Sequence, residues 1–341
     1  MSAASPAVAV DAMGGDQAPD ALVAGSLGAL RADPDLQVIL VGRSEQITPL
    51  VGRGLPERLT LEESEGAIPM NAHPAQAVRS QPHASVSVAI RLVGEGRADA
   101  CFSAGHSGAT MAAALLRLHR LPGVARPAIG TVLPSRSGST LLVDAGAQVD
   151  CRPEWLAQFA QLGSEYCRRA LRVERPRVGL LSNGEEPSKG NALVQAAHEL
   201  ISQLDLRYLG PVEGTDLLSG KVDVVVSDGF VGNVALKTAE GVADAIMAAL
   251  RQEANSTPRS RLGALFLLPS LRRLRDRLDW GQVGGAPLLG VGGLVFIGHG
   301  RSDARAVTSA IRVAAAAVRA GLTEVWQSAL EHPAPAAVPG S

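Results

Sequence analysis

Residues 8–16 read VAVDAMGGD, an apolar strand followed at once by a glycine-rich polar loop. The same pattern returns at residues 100–110 (ACFSAGHSGAT), 178–191 (VGLLSNGEEPSKGN) and 222–233 (VDVVVSDGFVGN), each time before a helical pattern. Continuous apolar strands alternating with helices predict a mainly parallel α/β sheet with helices on both faces. In such a sheet the loops after the strands emerge at one edge, where ligands bind. We therefore expect the four loops to form one crevice for a polar, anionic ligand.

The composition is that of a globular protein, with 341 residues of which 46% are hydrophobic and 3% aromatic. A net charge of −1 argues against a nucleic-acid partner. The three cysteines, Cys101, Cys151 and Cys167, form neither a disulfide framework nor a CxxC metal pair. Neither a signal peptide nor a run of 18 apolar residues is evident. A cytosolic protein without a metal is expected.

Residues 1–331 are predicted to form a single domain, and the Pro- and Ala-rich residues 332–341 a disordered tail. Residues 258–279 depart from the alternation of strands and helices, because six arginines and two acids accompany a regular set of leucines. Pro269 is expected to break this segment into an amphipathic helical hairpin. Its apolar face suits an anionic membrane surface, a dimer interface or both.

The loop after the first strand contains the candidate ligand-binding residues Asp11, Gly14, Gly15 and Asp16. Glycine permits close approach of a ligand to the backbone, and either aspartate would orient a donor. A plain glycine turn with an Asp helix cap is the alternative interpretation.

The second loop contributes Ser103, Gly105, His106, Ser107 and Gly108. The unpaired amides at the start of the following helix, together with the two glycines, suit a phosphate group. His106 is a candidate acid or base, since the unperturbed pKa of histidine is about 6.5. Simple capping of the helix by His106 or Ser107 is the alternative.

The third loop is the most polar, and its order of residues is not that of a Walker A loop. Lys189, at a helix start, is a candidate to bind an anion as a point charge. Glu185 and Glu186 are candidates to fix Lys189 or to transfer a proton. A solvated charged loop is the alternative. The other candidate site residues in this loop are Asn183, Gly190 and Asn191.

The fourth loop repeats the plan with Asp228, Gly229 and Asn233, followed by Lys237. Asp228 is a candidate orienting acid and Asn233 a candidate donor to an oxyanion, with an Asx turn as the alternative. His299, after the strand predicted at residues 294–297, is positioned to reach the same crevice. A buried or capping histidine is the alternative there.

Taken together, these motifs resemble the PlsX family, the phosphate acyltransferases of bacterial phospholipid synthesis. The resemblance runs from about residue 6 to residue 322, with His106-Ser107 where the family usually has Asn-Thr. The matching stretches are DAMGGD (11–16), SAG with a following Gly (103–108), LLVDAGAQVDCRPEWL (141–156), GLLSNGEEPSKGN (179–191), VEGTDLLSGKVDVVVSDGFVGNVALKT (212–238), GGAPLLGV (284–291) and HGRSDARA (299–306).

The resemblance implies a three-layer α/β/α sandwich like that of phosphotransacetylase and isocitrate dehydrogenase-like enzymes, in a homodimer. It also implies conversion of acyl-(acyl carrier protein) and orthophosphate into acyl phosphate and free carrier protein. Members of the family are cytoplasmic and associate peripherally with the membrane, and residues 258–279 fall where a helical hairpin has been implicated. No cofactor is expected.

The residues fit this chemistry as follows. Helix-start amides and Lys189 would hold phosphate, and Asn183 or Asn233 would stabilise the oxyanion formed at the thioester. Because the four loop motifs contain no cysteine except Cys101, which falls inside a strand, direct displacement in a ternary complex is expected rather than an acyl-enzyme. The alternatives are a phosphotransacetylase-like enzyme that uses acyl-CoA and a non-catalytic scaffold that docks on membranes.

Overall fold

The protein was analysed as a computed structural model, which describes residues 5–330 apart from 53, 265, 268–269 and 271–283. Its strands are β1 (Ala7–Asp11), β2 (Gln37–Gly42), β3 (Leu59–Glu63), β4 (Ala100–Ser103), β5 (Ala128–Ser135), β6 (Gly138–Val143), β7 (Arg177–Leu181), β8 (Arg207–Val212), β9 (Val224–Val226), β10 (Ala286–Leu289) and β11 (Leu294–Ile297).

Helices connect and cover these strands. They are α1 (Asp20–Ala32), α2 (Ser44–Val51), α3 (Pro74–Ser80), α4 (Ser85–Gly94), α5 (Ser107–Arg117), α6 (Pro153–Arg169), α7 (Ala192–Ser202), α8 (Asp216–Ser219), α9 (Gly229–Ser256), α10 (Ala304–Arg319) and α11 (Leu322–Leu330). Residues 258–264 are also helical, whereas most of the hairpin predicted at 258–279 and the whole tail predicted at 332–341 lie outside the described residues.

All eleven strands form one sheet in the order β3-β2-β1-β4-β11-β10-β5-β6-β9-β7-β8. The first five strands in this order are mutually parallel, as are the last four. Antiparallel pairing of β10 with β11, of β10 with β5 and of β5 with β6 reverses the direction between the two groups. The sheet is therefore mostly parallel, as predicted, but it consists of two parallel half-sheets that run in opposite directions.

This reversal corrects the prediction that all four loops emerge at one edge of a single parallel sheet. Loops from the two half-sheets still meet because the half-sheets are offset along the strands. β10 pairs through Ala286 with Ile297, the last residue of β11, and through Leu288 with Ile129, near the start of β5. β6 ends at Val143, opposite the residue after Ile129. The carboxyl ends of both half-sheets consequently meet at one level and enclose a cleft.

Helices cover both faces of the sheet with small apolar side chains, as the composition predicts. On one face α1 packs against α10, and α6 packs against α7 and α11. The buried Trp326 of α11 donates from Nε1 to the carbonyl of Leu162 at 3.1 Å, which satisfies its polar atom. The buried parts of α4 and α5 cover the other face of the first half-sheet. The rigid layers hold the loops at the cleft.

α9 is the exception to this packing, because only Gly229, Gly232 and Leu236 of its 28 residues are buried. Among the described helices, no single one is long and apolar enough to cross a membrane. Two consecutive helices, Ala304–Arg319 and Leu322–Ser328, are together long and apolar enough to cross a membrane, by length and composition only, and they are bent by 54°.

Candidate active site

A cavity of about 640 Å³ lies where the two half-sheets meet. The first half-sheet contributes side chains from the loops after β1, β4 and β11, and the second contributes the loop after β6 and one face of α9. Its polar lining comprises Gln17, Ser107, Thr131, Asn233, Lys237, Glu240, Asp244, His299, Arg301, Ser302 and Asp303. Its apolar lining includes Phe102, Ile129, Val132, Leu236, Ile297 and Ala310. The cleft therefore combines polar groups with an apolar wall.

Asp11 ends β1 and is only 1% exposed. Its carboxylate accepts hydrogen bonds from the Ser103 hydroxyl at 2.7 Å and from the Met13 amide at 3.2 Å. Burial raises the pKa of the Asp11 carboxyl, while the hydrogen bonds oppose that rise. Asp11 thus holds the turn beneath the cleft, in keeping with the structural alternative for this residue.

The two glycines of the first loop are required by close packing. A Cβ on Gly14 would lie 2.5 Å from Asp11 Oδ2 and 2.8 Å from the amide nitrogen of Gly105. Gly15 has a φ of +109°, and the next amide, that of Asp16, donates to the carbonyl of Gly300 at 2.7 Å. The loops after β1, β4 and β11 therefore pack on one another. The loops at residues 11–16 and 103–108 were both predicted to contribute to one crevice.

α5 begins at the cleft with uncapped amides. His106 occupies the N-cap position, but its side chain makes no capping hydrogen bond. Its Nε2 lies 3.3 Å from the carbonyl oxygen of Ala72 instead. In the part of the chain that the structure describes, the amides of Ser107 and Gly108 have no hydrogen-bond acceptor. These amides, at the positive end of the helix, are free to bind an anion.

The first turns of α9 present Asn233 and Lys237 to the cavity, since residues four apart share a helix face. Asn233 donates from Nδ2 to the carbonyl of Ala145 at 3.1 Å, and Lys237 Nζ lies 2.8 Å from Glu240 Oε2. Asp228 caps the helix, accepting from the Val231 amide at 2.8 Å. The Asx-turn alternative therefore describes Asp228, whereas Asn233 and Lys237 face the cleft. Gly229, between them and the cap, packs against the loop after β6.

The loop after β7 stands apart from this cavity. Asn183 Oδ1 accepts from the amide of Gly190 at 2.8 Å, and Asn191 caps α7 by accepting from the Val194 amide at 2.9 Å. Glu185 pairs with Lys221 at 2.5 Å rather than with Lys189. Lys189 is exposed and has no ion pair among the described residues, although its amide donates to the carbonyl of Glu186 at 2.9 Å.

The four loops therefore do not all line one cavity. β7 is separated from β6 by β9, and no described residue of the 183–191 loop is part of the cavity wall. His299 does line the cavity, as predicted, and its Nδ1 accepts from the Arg301 amide at 3.2 Å.

The sequence analysis missed Asp144, which is fully buried at the end of β6. Its carboxylate accepts hydrogen bonds from the amides of Ile129, Gly146, Ala147 and Gln148. Burial raises the pKa of Asp144, and these four amides oppose the rise. An aspartate that ends an apolar strand and precedes a glycine is the same signal that marked Asp11, so the pattern was available in the sequence.

The three thiols of the chain are shielded from solvent to different degrees. Cys101 and Cys167 are buried and Cys151 is half-buried, and burial raises the pKa of Cys151 to about 12. No group of three or more His, Cys, Asp or Glu side chains in the described ranges is arranged to hold a metal ion.

The fold is an α/β sandwich of the class to which phosphotransacetylase belongs. Phosphotransacetylase from Streptococcus pyogenes superposes with a TM-score of 0.62 at 18% identity, covering 92% of this chain and 94% of that one. 4-Hydroxythreonine-4-phosphate dehydrogenase from Klebsiella pneumoniae gives a TM-score of 0.51 at 13% identity, covering 92% and 98%. At these identities the likeness shows the fold alone, and it confirms the predicted architecture.

Sequence comparison identifies the family. The family model described as fatty acid synthesis protein matches residues 7–325. A phosphate acyltransferase of Desulfitobacterium hafniense is 47% identical over 319 residues, covering 93% of this chain and 95% of the relative. That of Nostoc punctiforme is 49% identical over 321 residues, covering 91% and 92%. The chain belongs to the fatty acid synthesis protein family, that is, to the PlsX phosphate acyltransferases, and it is an acyltransferase enzyme.

Proposed function

We propose that this acyltransferase moves an acyl group from acyl-(acyl carrier protein) to orthophosphate, and that the acyl phosphate feeds phospholipid synthesis. The observation that carries the proposal is the composition of the cavity wall. Free helix-start amides and the cation of Lys237 lie on the same cavity as the apolar side chains of Phe102, Ile129 and Leu236. The anionic acceptor, orthophosphate, needs the amides and the cation, and the acyl chain of the donor needs the apolar side chains.

Orthophosphate binds at the start of α5 in this proposal. The amides of Ser107 and Gly108 point their unpaired N–H groups at the cleft, and the helix dipole favours negative charge there. Lys237 contributes a positive charge from the opposite wall. Phosphate is partly dianionic near neutral pH, because the second pKa of its esters is about 6, so it needs positioning more than activation.

The chemical step is a direct displacement. A phosphate oxygen attacks the thioester carbonyl carbon, the carbonyl becomes an oxyanion, and the carbon–sulfur bond then breaks. One N–H of the Asn233 amide is bonded to Ala145, which leaves the second N–H to stabilise the oxyanion. The leaving thiolate, with a pKa of about 8.5 by analogy with cysteine, takes its proton from water, His106 or His299.

A covalent acyl-enzyme has no support in the thiols of this chain. The thiolate is the nucleophilic form of cysteine, and burial raises the pKa of Cys101, Cys151 and Cys167. Acid quenching during turnover with radiolabelled acyl donor is expected to leave the protein unlabelled. Label that survives denaturation would contradict direct displacement.

Lys189 and Asn183 have a proposed role at the edge of the site rather than in the cavity. β7 neighbours β9 in the second half-sheet, so the loop that carries them emerges beside the start of α9. The unpaired ammonium of Lys189 is proposed to bind a second part of the anionic substrates, with Glu186 next to it in the loop. Gly190, whose amide donates to Asn183 Oδ1, shapes the backbone of this loop. Asp16 and Gly105 do the same for the loops after β1 and β4 on the other side of the cleft.

A homodimer and a peripheral contact with the cytoplasmic membrane complete the proposal. The exposed apolar residues Val234, Val242, Ile246 and Leu250 of α9 suit a second copy of the chain. Leu262, Phe266 and Leu267 are exposed in the arginine-rich segment 258–279, whose composition suits an anionic bilayer surface.

The decisive experiment is a thiol-release assay with palmitoyl-(acyl carrier protein), with and without orthophosphate, in which hydroxylamine traps the acyl product. Phosphate-dependent thiol release with a hydroxylamine-reactive product is expected. Lys237→Ala should weaken phosphate binding, whereas Arg31→Ala, which removes an exposed positive charge from α1 away from the cavity, should leave the reaction unchanged. Release with acetyl-CoA but not with the carrier-protein substrate would instead identify a phosphotransacetylase-like enzyme. No thiol release with either donor would favour the alternative of a non-catalytic scaffold that docks on membranes.

A further inference from the structure

We propose that Asp144 is a positioning residue for acyl transfer, because it fixes the loop against which Asn233 is aligned. The inference rests on the proposed function. Asp144 is not itself part of the cavity wall, although it holds the amides of Ile129 and Gly146, which are. Its effect must therefore pass through its neighbours.

The carboxylate organises the loop after β6. Oδ1 accepts from the amides of Ile129 at 2.9 Å, Gly146 at 3.1 Å and Ala147 at 3.0 Å. Oδ2 accepts from the amides of Ala147 at 3.0 Å and Gln148 at 2.6 Å. One side chain thus ties three successive loop amides to β5, and because a carboxylate is an acceptor on both oxygens, an isosteric amide cannot replace it.

The organised loop receives the first turn of α9 with almost no free space. A Cβ on Gly232 would lie 1.9 Å from the Asp144 carbonyl oxygen, and a Cβ on Gly229 would lie 2.7 Å from Asp144 Oδ2. The Gly229 amide also donates to the carbonyl of Gln148 at 2.7 Å. The start of α9 is therefore placed by the same loop that Asp144 holds.

Asn233 links this arrangement to the cavity. Its Nδ2 donates to the carbonyl of Ala145, the residue next to Asp144, at 3.1 Å. Gly146, with a φ of +141°, leaves room for that side chain, since a Cβ there would lie 3.0 Å from Asn233 Nδ2. A shift of the loop would therefore move the proposed oxyanion donor and, one turn later, Lys237.

The experiment is a double-mutant cycle of Asp144→Asn and Asn233→Ala, read as kcat/KM in the thiol-release assay. Asp144→Asn alone is expected to lower kcat/KM by about 10²-fold, the effect of a misplacement of about 1 Å. In the Asn233→Ala background the same change is expected to cost less than about threefold, because coupled sites are not additive. Equal losses in both backgrounds would overturn the proposal. Asp150→Asn, at an exposed position in the same loop, is the matched control and should leave kcat/KM unchanged.

A second variant covers the case in which Asp144→Asn does not fold. Gly146→Ala adds a Cβ 3.0 Å from Asn233 Nδ2 and leaves the carboxylate unchanged, and it is expected to lower kcat/KM. Because residue 146 has a φ of +141°, the thermal midpoint is expected to fall as well. Gly138→Ala, with a φ of +139° and no atom within 4 Å of its added Cβ, is the control for backbone strain and should lower the thermal midpoint without lowering kcat/KM. An unchanged kcat/KM would count against the alignment of Asn233 by this loop.

A crystal structure separates this inference from the proposed function. In Asp144→Asn, or in Gly146→Ala if the former is unfolded, the hydrogen bond from Asn233 to Ala145 is expected to be lost. If the wild type fails to transfer acyl groups to phosphate, the proposed function is wrong, and an unmoved Asn233 in that crystal structure would refute the positioning role separately.

Discussion

The Ser103 hydroxyl donates a 2.7 Å hydrogen bond to the Asp11 carboxylate, joining the ends of the neighbouring parallel strands β4 and β1. Asp144 plays a comparable part at the end of β6 in the other half-sheet. Each half-sheet therefore ends in a buried carboxylate that organises the loops of its side of the cleft. Stability and catalysis are expected to depend on these two residues in different ways.

Ser103→Ala tests the first of these carboxylates. Loss of a hydrogen bond to a charged group is expected to lower the free energy of unfolding by about 1.5–3 kcal/mol near pH 7. Burial raises the pKa of Asp11, so the stability that its protonated form provides is lost as the pH rises through the folded-state pKa. The variant lacks a donor to the ionised form, so its deficit should shrink towards about pH 4, because burial makes the folded-state carboxyl of Asp11 protonate above the usual range of aspartate.

The measurement is urea unfolding of both proteins at the two pH values. Ser188→Ala, at an exposed position, is the control and should lie within about 0.5 kcal/mol of the wild type. A deficit that grew on acidification would show that the hydroxyl serves the protonated form instead.

Gly14→Ala tests the packing of the first loop. The added Cβ would meet Asp11 Oδ2 at 2.5 Å and the Gly105 amide at 2.8 Å, and overpacking of this kind costs about 1–3 kcal/mol. We expect a lower thermal midpoint and a lower kcat/KM, because α5 starts two residues after Gly105. Gly214→Ala, whose Cβ would meet nothing within 4 Å, should leave the thermal midpoint and kcat/KM nearly unchanged. Wild-type activity in Gly14→Ala would contradict a tightly packed phosphate loop.

Asp223→Asn tests the join between β7 and β9. Asp223 accepts from Arg177 Nε at 2.9 Å, from Nη2 at 2.8 Å and from the Arg177 amide at 2.7 Å. Burial alone would raise the pKa of Asp223, but these hydrogen bonds hold it below the usual value. Its contribution to stability is therefore present above about pH 4 and is lost as the pH falls through the lower folded-state pKa.

The variant should lower the free energy of unfolding by about 1.5–3 kcal/mol near pH 7, and by less in acid. Chemical denaturation across this pH range measures the difference, with the exposed Asp205→Asn as control. A constant difference at every pH would rule out the charge of Asp223 as the cause.

Ile246→Glu tests the proposed dimer. Ile246 is 54% exposed on α9, and a buried, unpaired carboxylate at an apolar interface is strongly unfavourable. Light scattering after size exclusion should show a dimer for the wild type and a monomer for the variant. Gln252→Glu, an exposed position away from the Ile246 face, adds the same charge and should remain dimeric. Identical masses for wild type and Ile246→Glu would remove α9 from the interface.

Local sequence patterns predicted many elements closely. The strand Leu294–Ile297 lies where its apolar run predicted. α6 begins at Pro153, in keeping with the preference of proline for the first helical position. These patterns succeed because a buried strand must be continuously apolar and a helix must begin at a favourable residue. The glycines and acids of the loops were likewise visible, since a polar turn at a strand end has a distinctive composition.

Other elements carried weaker signals. Residues 286–289 lie in a glycine-rich stretch, which is typical of turns, but they form β10, a short strand whose antiparallel partners hold it in place. The elements α2, β3, α3, α8 and β8 were not predicted. Such short segments obtain their conformation from tertiary contacts rather than from intrinsic propensity.

The sequence by itself determined the βα units, the family and some of the residues that line the cleft, among them Ser107, Asn233 and His299. Only the tertiary structure decided how these residues meet. The pairing of β10 and β5 reverses the sheet and offsets its halves, so that Ser107 and Lys237 line one cavity from opposite sides while Lys189 lies apart. Strand direction and register depend on hydrogen bonds between segments far apart in the chain, and a local pattern does not contain that information.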